Sequence, residues 1–105
     1  MLKENEVIQF TGEEALEILL QVEYILISLC NIARYYYHGD PNEVVDRSAY
    51  EKETANFLDK NSVADRLSQV RKLICEKFDS ELGEDDMDDT ERFLENLRYW
   101  SKPGD

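Results

Sequence analysis

The sequence predicts an all-α protein, a single-domain bundle of four to six helices that spans residues 1–105 around a long central helix. Apolar residues recur at spacings of three and four, which is the period of a helix with a buried face. Capping residues and helix-ending glycines separate these segments. The sequence contains no pair of alternating apolar runs joined by a tight turn, which would indicate a β-hairpin.

The long central helix is predicted over residues 12–37. Thr11 and Glu14 have the spacing of a capping box, in which each side chain bonds the other residue's backbone N–H. Gly39 and Pro41 indicate its end. Because the helix carries two apolar stripes, we expect neighbours on both of its sides. The first stripe contains Leu16, Leu19, Leu20, Glu23, Leu26, Ile27 and Cys30, and the second contains Ile18, Val22, Ile25, Leu29, Ile32 and Tyr36.

Shorter helices are predicted along the rest of the chain. Asp40 and Pro41 suit the start of a helix, and a second capping box at Ser48 would divide residues 41–60 into two. A helix from 63 to about 82 would end at Gly83. A last helix, capped by Asp85 or Asp86, would run to about Trp100. Its predicted buried stripe contains Met87, Phe93, Leu94, Leu97 and Trp100. Residues 7–10 fit either a short strand or a helical turn.

Cysteine usage and the apolar segments predict a cytoplasmic protein. Cys30 and Cys75 lie within apolar helical patterns, which predicts buried thiols in a reducing compartment. The first six residues lack the basic and apolar regions of a signal peptide. Polar residues such as Glu23 and Arg34 interrupt the most apolar segment, 15–37, so we expect no membrane-spanning helix.

The net charge limits the partners of the chain. With 24 acidic and 12 basic residues the net charge is −12, so the chain would repel nucleic acid and anionic membranes. Self-repulsion favours a monomer when no partner is bound. The charge is uneven, because residues 1–40 carry net −5, residues 41–78 are neutral and residues 79–105 carry net −7.

The acidic segment, residues 79–91, contains eight acids and no base. Acids in the first turn of a helix are stabilised by its dipole, whereas Asp79 and Glu81 fall at a predicted helix C-terminus, where acids are disfavoured. Clustered like charge therefore predicts a cationic partner, although a solvated corner stays an alternative. The predicted partner-binding acids are Asp79, Glu81, Glu84, Asp85, Asp86, Asp88, Asp89 and Glu91. Acids of the earlier helices, namely Glu13, Glu14, Glu17, Asp40 and Glu43, form an alternative face.

Neither a metal site nor a catalytic set is expected. A calcium loop of the EF-hand type needs glycine at its sixth position, but a loop starting at Asp79 places Glu84 there. His38 is the single histidine, and no Ser/His/Asp set, Cys/His pair or glycine-rich phosphate loop accompanies it. The sequence therefore predicts a protein that is not an enzyme and needs no cofactor.

Aromatic residues supply candidate apolar anchors for a partner. Tyr35, Tyr36 and Tyr37 are consecutive on a helix, so their side chains point in different directions and cannot all be buried. Tyrosine and tryptophan are enriched among the residues that dominate binding energy at interfaces. Tyr35, Tyr37 and Trp100 are therefore predicted as partner-binding residues, with simple packing as the alternative.

The acidic helical chain, with its segments 76–79, 82–89 and 98–100, resembles bacterial immunity proteins of contact-dependent growth inhibition and other polymorphic toxin systems. The resemblance implies a cytoplasmic inhibitor of a cationic toxin domain, often a nuclease, that covers its active site or an adjoining surface. Charge reversal at Asp85, Asp86 and Asp88 should then slow association. Two alternatives remain: an acidic nucleic-acid mimic that inhibits a DNA- or RNA-binding protein, and a small helical adaptor.

Overall fold

The computed structural model describes residues 1–37 and 46–102 and confirms the all-α prediction. A 3₁₀ turn, Lys3–Asn5, precedes α1 (Gly12–Tyr37), α2 (Arg47–Lys60), α3 (Val63–Cys75) and α4 (Asp89–Leu94). Helices make up 66% of the described part, which contains no strand, so residues 7–10 are not one.

Two compact units divide the chain, and each is described by itself. The helical unit, Phe10–Leu73, contains α1, α2 and most of α3. The acidic unit combines Met1–Gln9 with the chain from Ile74 onward, and it contains α4. The capping signals expected in segment 38–45 and the Pro103-Gly104 end, like His38, Asp40 and Glu43, lie outside the described residues.

The capping box at the start of α1 is confirmed. The backbone N–H of Thr11 donates to Glu14 Oε1 at 2.8 Å, and the N–H of Glu14 donates to Thr11 Oγ1 at 3.1 Å. These two bonds satisfy N–H groups that the first turn of a helix leaves without intrahelical partners.

Aromatic rings join α1 to α2. Tyr24 and the buried Phe57 have ring centroids 6.0 Å apart, and Tyr50 packs edge-on against Tyr36 and Tyr37 at 6.0 and 5.6 Å. Burial of Tyr36 is the main cause that raises its pKa. Such edge-to-face pairs add to the free energy gained by burying the rings.

Arg66 of α3 completes the helical unit. Its guanidinium lies 4.0 Å from the Tyr24 ring centroid, a distance typical of a cation–π contact. Its Nη1 donates to Gln21 Oε1 at 2.9 Å, and its Nε donates to the Asn61 carbonyl at 3.1 Å. One side chain therefore links α3, α1 and the α2–α3 turn.

The two apolar stripes of α1 have different environments. In the second stripe, all residues except Val22 are half-buried, and Ile32 lines the groove beside Phe57. The first stripe is solvent-exposed, with Leu16 at 65% and Ile27 at 52%. The expectation of neighbours on both sides was wrong for this stripe in the described structure. Cys30 is also exposed and unpaired, not buried as expected, and Cys75 is a half-buried free thiol.

By length and composition, α1 also qualifies as a candidate membrane span, and none of its residues is buried. Core helices of soluble proteins meet the same length and composition criterion. The prediction that the chain does not enter a membrane stays a prediction.

The end of α3 and the start of α4 differ from the expectation. α3 ends at Cys75, not near 82, and the capping box of α4 begins at Asp88, not at Asp85 or Asp86. α4 has six residues and ends at Leu94, so the predicted stripe up to Trp100 is not one helical face. Phe93 and Trp100 are 83% and 81% exposed.

α2 is continuous over Arg47–Lys60, and its N-cap is Asp46, whose carboxylate accepts the Ala49 N–H at 3.0 Å. Ser48 lies inside the first turn, so the division of this region at Ser48 was wrong. Asn61 is the C-cap of α2, and Ser62, which follows it, has a φ of 52°.

The two competing cap positions of α2 provide a matched test. Asp46→Ala should lower the free energy of unfolding by about 1 kcal/mol, because it removes the N-cap acceptor. Ser48→Ala should be neutral or slightly stabilising, because alanine is the better helix former inside a helix. Urea unfolding followed by circular dichroism measures both. Equal losses in the two variants would contradict the assignment of the cap.

Candidate binding surface of the acidic segment

Asp89 is the buried centre of the acidic unit. Its side chain is 6% exposed, and its Oδ2 accepts the Leu2 backbone N–H at 2.8 Å and Asn5 Nδ2 at 2.7 Å. Its Oδ1 accepts Arg92 Nη1 at 2.8 Å. Hydrogen bonds from Asn5 and from the Leu2 N–H lower the pKa of this carboxyl below its usual range, with a further contribution from Arg92.

Asn5 connects the N-terminal turn to the start of the acidic segment. It is 4% exposed, and its Nδ2 donates to the Asp79 carbonyl at 3.1 Å in addition to Asp89. Its Oδ1 accepts the Asp79 N–H at 2.7 Å. Asn5 therefore holds the backbone of Asp79 outside any helix. The premise that Asp79 and Glu81 lie at a helix C-terminus was wrong.

Arg92 clamps the loop that precedes α4. It forms a bidentate pair with Asp85, with Nε to Oδ2 at 2.7 Å and Nη2 to Oδ1 at 2.8 Å, and Nη2 also donates to the Met87 carbonyl at 2.9 Å. The pair lowers the pKa of Asp85 well below its usual range and raises that of Arg92. Paired Arg–carboxylate hydrogen bonds are among the strong polar contacts of proteins.

Gly83 occupies the position where this clamp approaches the backbone. Its N–H donates to the Met87 carbonyl at 2.9 Å, and a Cβ added at Gly83 would lie 2.7 Å from Arg92 Nη2. A side chain at this position would have to displace the end of the guanidinium, so Gly83 accommodates its close approach. It does not end a helix, as the sequence had suggested.

Asp88 and Glu91 form the capping box of α4. Asp88 Oδ1 accepts the Glu91 N–H at 2.8 Å and the Thr90 hydroxyl at 2.9 Å, and Glu91 Oε1 accepts the Asp88 N–H at 3.4 Å. The Glu91 N–H bond is the main cause that lowers the pKa of Asp88. Both side chains therefore stabilise the start of a short helix.

Three carboxylates of the acidic segment remain outward-facing. Glu81, Glu84 and Asp86 are exposed, and in the described part of the chain their carboxylates have no hydrogen-bond or ion-pair partner. The Asp79 side chain is also exposed, but its Oδ1 accepts the Glu81 N–H at 2.8 Å. Asp86 has a φ of 59°, which places it at the turn of the clamped loop.

Exposed apolar side chains occur in the same unit. Trp100 is 81% and Tyr99 70% exposed, and Leu82, Phe93 and Leu97 are more than half exposed. Trp100 was predicted both in a buried stripe and as an anchor for a partner, and its exposure leaves it available for the second role. The acidic unit thus combines free carboxylates with exposed aromatic rings.

The two predicted tyrosine anchors belong to the helical unit. Tyr35 is 70% exposed and has its ring edge against Tyr36 at 4.9 Å, whereas Tyr37 is half-buried against Tyr50. Of the two rings, Tyr35 therefore presents the larger surface to a partner.

Chemically, the acidic unit is suited to binding cations on a partner surface. Within residues 1–37 and 46–102, no three His, Cys, Asp or Glu side chains are arranged to hold a metal ion. Comparison of the chain with protein-family models, curated proteins and solved structures found no match.

Two residues that organise this unit were missed by sequence reasoning. Asn5 lies 84 positions from Asp89, and no local pattern connects them. Arg92 gave a weak signal, because it follows Asp89 at a spacing of three, where a helical ion pair forms. The acidic segment was defined as residues 79–91, and Arg92 lies one residue beyond it.

Removal of the Asn5 side chain should loosen the acidic unit. Asn5→Ala removes the side chain that binds the Asp79 N–H and carbonyl, and it leaves Asp89 Oδ2 with the Leu2 N–H alone, so we expect a loss of about 1–3 kcal/mol in the free energy of unfolding. Hydrogen exchange at the Asp79 amide should accelerate in parallel. Asn31→Ala, at an exposed position of α1, is the matched control. Unchanged exchange at Asp79 in Asn5→Ala would contradict the assignment.

Acid should destabilise the same unit. The lowered pKa values of Asp85, Asp88 and Asp89 mean that their stabilisation is complete above the ordinary aspartate pKa of about 4. This stabilisation is lost as the pH falls from about 4 through the lower pKa values that the three aspartates have in the folded protein. NMR titration of the carboxyl carbons in wild type and Arg92→Gln measures this.

In Arg92→Gln the Asp85 midpoint should rise towards its ordinary value, because the guanidinium that holds the carboxylate charged is gone. Arg98→Gln removes an exposed arginine of the same unit and should leave the midpoint unchanged. An Asp85 midpoint that does not respond to Arg92→Gln would contradict the clamp.

Proposed function

We propose that the chain is a cytoplasmic immunity protein that binds and neutralises a cationic toxin domain of the nuclease class, and that it is not itself an enzyme. The observation that carries the proposal is the exposed set Glu81, Glu84 and Asp86 on a loop held in place by Arg92. A preformed loop with free carboxylates is complementary to a basic surface, and binding then does not have to order the loop at a cost in conformational entropy.

The internal contacts support different roles for six of the eight acids. Asp85, Asp88 and Asp89 position the loop and α4, and Glu81, Glu84 and Asp86 form the electrostatic contact with the toxin. Trp100 and Tyr99, which are exposed in the same unit, supply apolar contact area. Fixed carboxylates of this kind resemble the phosphates that a nuclease binds, which supports occlusion of its active site or of an adjoining surface.

The structure changes which acids should be reversed. Charge reversal at Asp85 or Asp88 would disturb the fold, because both accept internal hydrogen bonds. Glu81→Lys/Glu84→Lys/Asp86→Lys changes the net charge from −12 to −6 and leaves those bonds intact. Glu13→Lys/Asp59→Lys/Asp65→Lys makes the same change in the helical unit and is the matched control.

The probe is the C-terminal domain encoded directly upstream of this chain's gene, produced as an inactive variant for binding and as the active form for a protection assay. We expect a secreted effector at that position, and co-expression of the chain should protect a bacterial host from its domain. In low salt, the acidic-unit triple variant should associate at least about 10-fold more slowly, and the control nearly as fast as wild type.

Specific outcomes would contradict the proposal. An upstream gene that encodes no effector, or a toxic domain that the chain does not neutralise, would argue against immunity. An unchanged association rate in the acidic-unit variant, with slow association in the control, would place the interface on the helical unit. Binding that is insensitive to salt would favour an adaptor.

A further inference from the structure

The outer face of α1 is an apolar surface that stays exposed in the described part of the helical unit. Five of its side chains are at least half exposed: Leu16, Leu19, Leu20, Leu26 and Ile27, at 50–65%. Together they expose an area on the order of 450 Å², within the roughly 300–600 Å² of the largest patch on a typical monomer. On the opposite side of α1, Ser28 and Ile32 line the groove against α2.

The spacing of this face is that of a coiled-coil seam. Positions 16, 20, 23, 27, 30, 34 and 37 alternate in steps of four and three, which keeps one narrow stripe in line along the helix. The stripe begins with leucines and is interrupted by two opposite charges, Glu23 and Arg34. Neither charged group has a hydrogen-bond or ion-pair partner among the described residues.

The positions of the two charges select one arrangement of two such helices. In a parallel pair, Glu23 would face Glu23 and Arg34 would face Arg34, which is repulsive. In an antiparallel pair with its two-fold axis between residues 28 and 29, Glu23 of each copy faces Arg34 of the other. The same alignment places Ile27 opposite Cys30. It brings Leu20 to the end of the seam near Tyr37, whose ring is half-buried against Tyr50 of α2. The seam is therefore self-complementary, as a two-fold interface requires.

We propose that the outer face of α1 binds a second copy of this chain in an antiparallel helix pair, closed at both ends by Glu23–Arg34 ion pairs. The overlapping segment, residues 20–37, is about 27 Å long at 1.5 Å per residue. Two such patches bury at most an area on the order of 900 Å², which is below the roughly 1,200 Å² of stable interfaces and falls in the range of weak complexes. The dimer therefore dissociates on dilution.

Net charge does not prevent this pairing. Residues 10–73 contain 11 acidic and 7 basic residues, so the helical unit carries net −4 of the total −12. At physiological salt, charges farther apart than about 8 Å are largely screened. The antiparallel dimer replaces the monomer expected from the overall charge. The proposal does not depend on the proposed function, because that function rests on the acidic unit.

A charge-swap series in the full chain tests the pairing by sedimentation equilibrium over a range of concentrations. Wild type should dimerise reversibly. Glu23→Arg and Arg34→Glu should each weaken the dimer about 10-fold or more, because each places like charges opposite one another at both ends. The double variant Glu23→Arg/Arg34→Glu should recover the wild-type constant within a few-fold, because it exchanges the two charges.

Control variants and alternative occupants are part of the same experiment. Asp65→Arg and Arg71→Glu change exposed charges on α3 and should leave the dimer unchanged. A monomer at all concentrations would overturn the proposal, as would single swaps without effect or a double swap that does not recover. Flotation of wild type with phosphatidylcholine vesicles would also overturn it, because lipid would then cover this face.

Discussion

A single buried carboxylate organises the acidic unit. Asp89 accepts hydrogen bonds from Leu2 and Asn5 at one end of the chain and from Arg92 at the other. A buried charge is costly unless it is fully paired, so these three donors have to be in place together. The N-terminal turn, the Arg92-clamped loop and α4 consequently form one interdependent structure.

This pairing changes the meaning of the net charge. Residues 79–105 carry net −7 of the total −12, but part of this acidity is paired inside the fold, where Arg92 binds both Asp85 and Asp89. Among the described residues, the exposed acids of this segment without an internal partner are fewer, namely Glu81, Glu84 and Asp86. Because the neighbouring acids hold the loop, these three are presented in a fixed arrangement, which favours recognition of a specific cationic surface.

Local interactions were predictable from the sequence, and distant ones were not. The capping box of Thr11 and Glu14 spans three residues, so its spacing alone predicted its hydrogen bonds. The backbone of Asp79, beyond the end of α3, is bound by Asn5, 74 positions away, and no periodic pattern contains that information. Similarly, the two stripes of α1 predict two apolar faces, but they do not show which of the two packs against the rest of the chain.

The bond between the Leu2 amide and Asp89 joins residues 87 positions apart, which has a consequence for the order of folding. On the ribosome the helical unit is complete once residue 73 has emerged, whereas the first five residues must wait for the last third of the chain. Closing so long a loop is entropically slow. The outward carboxylates are thus assembled last, after the helical unit has had time to fold.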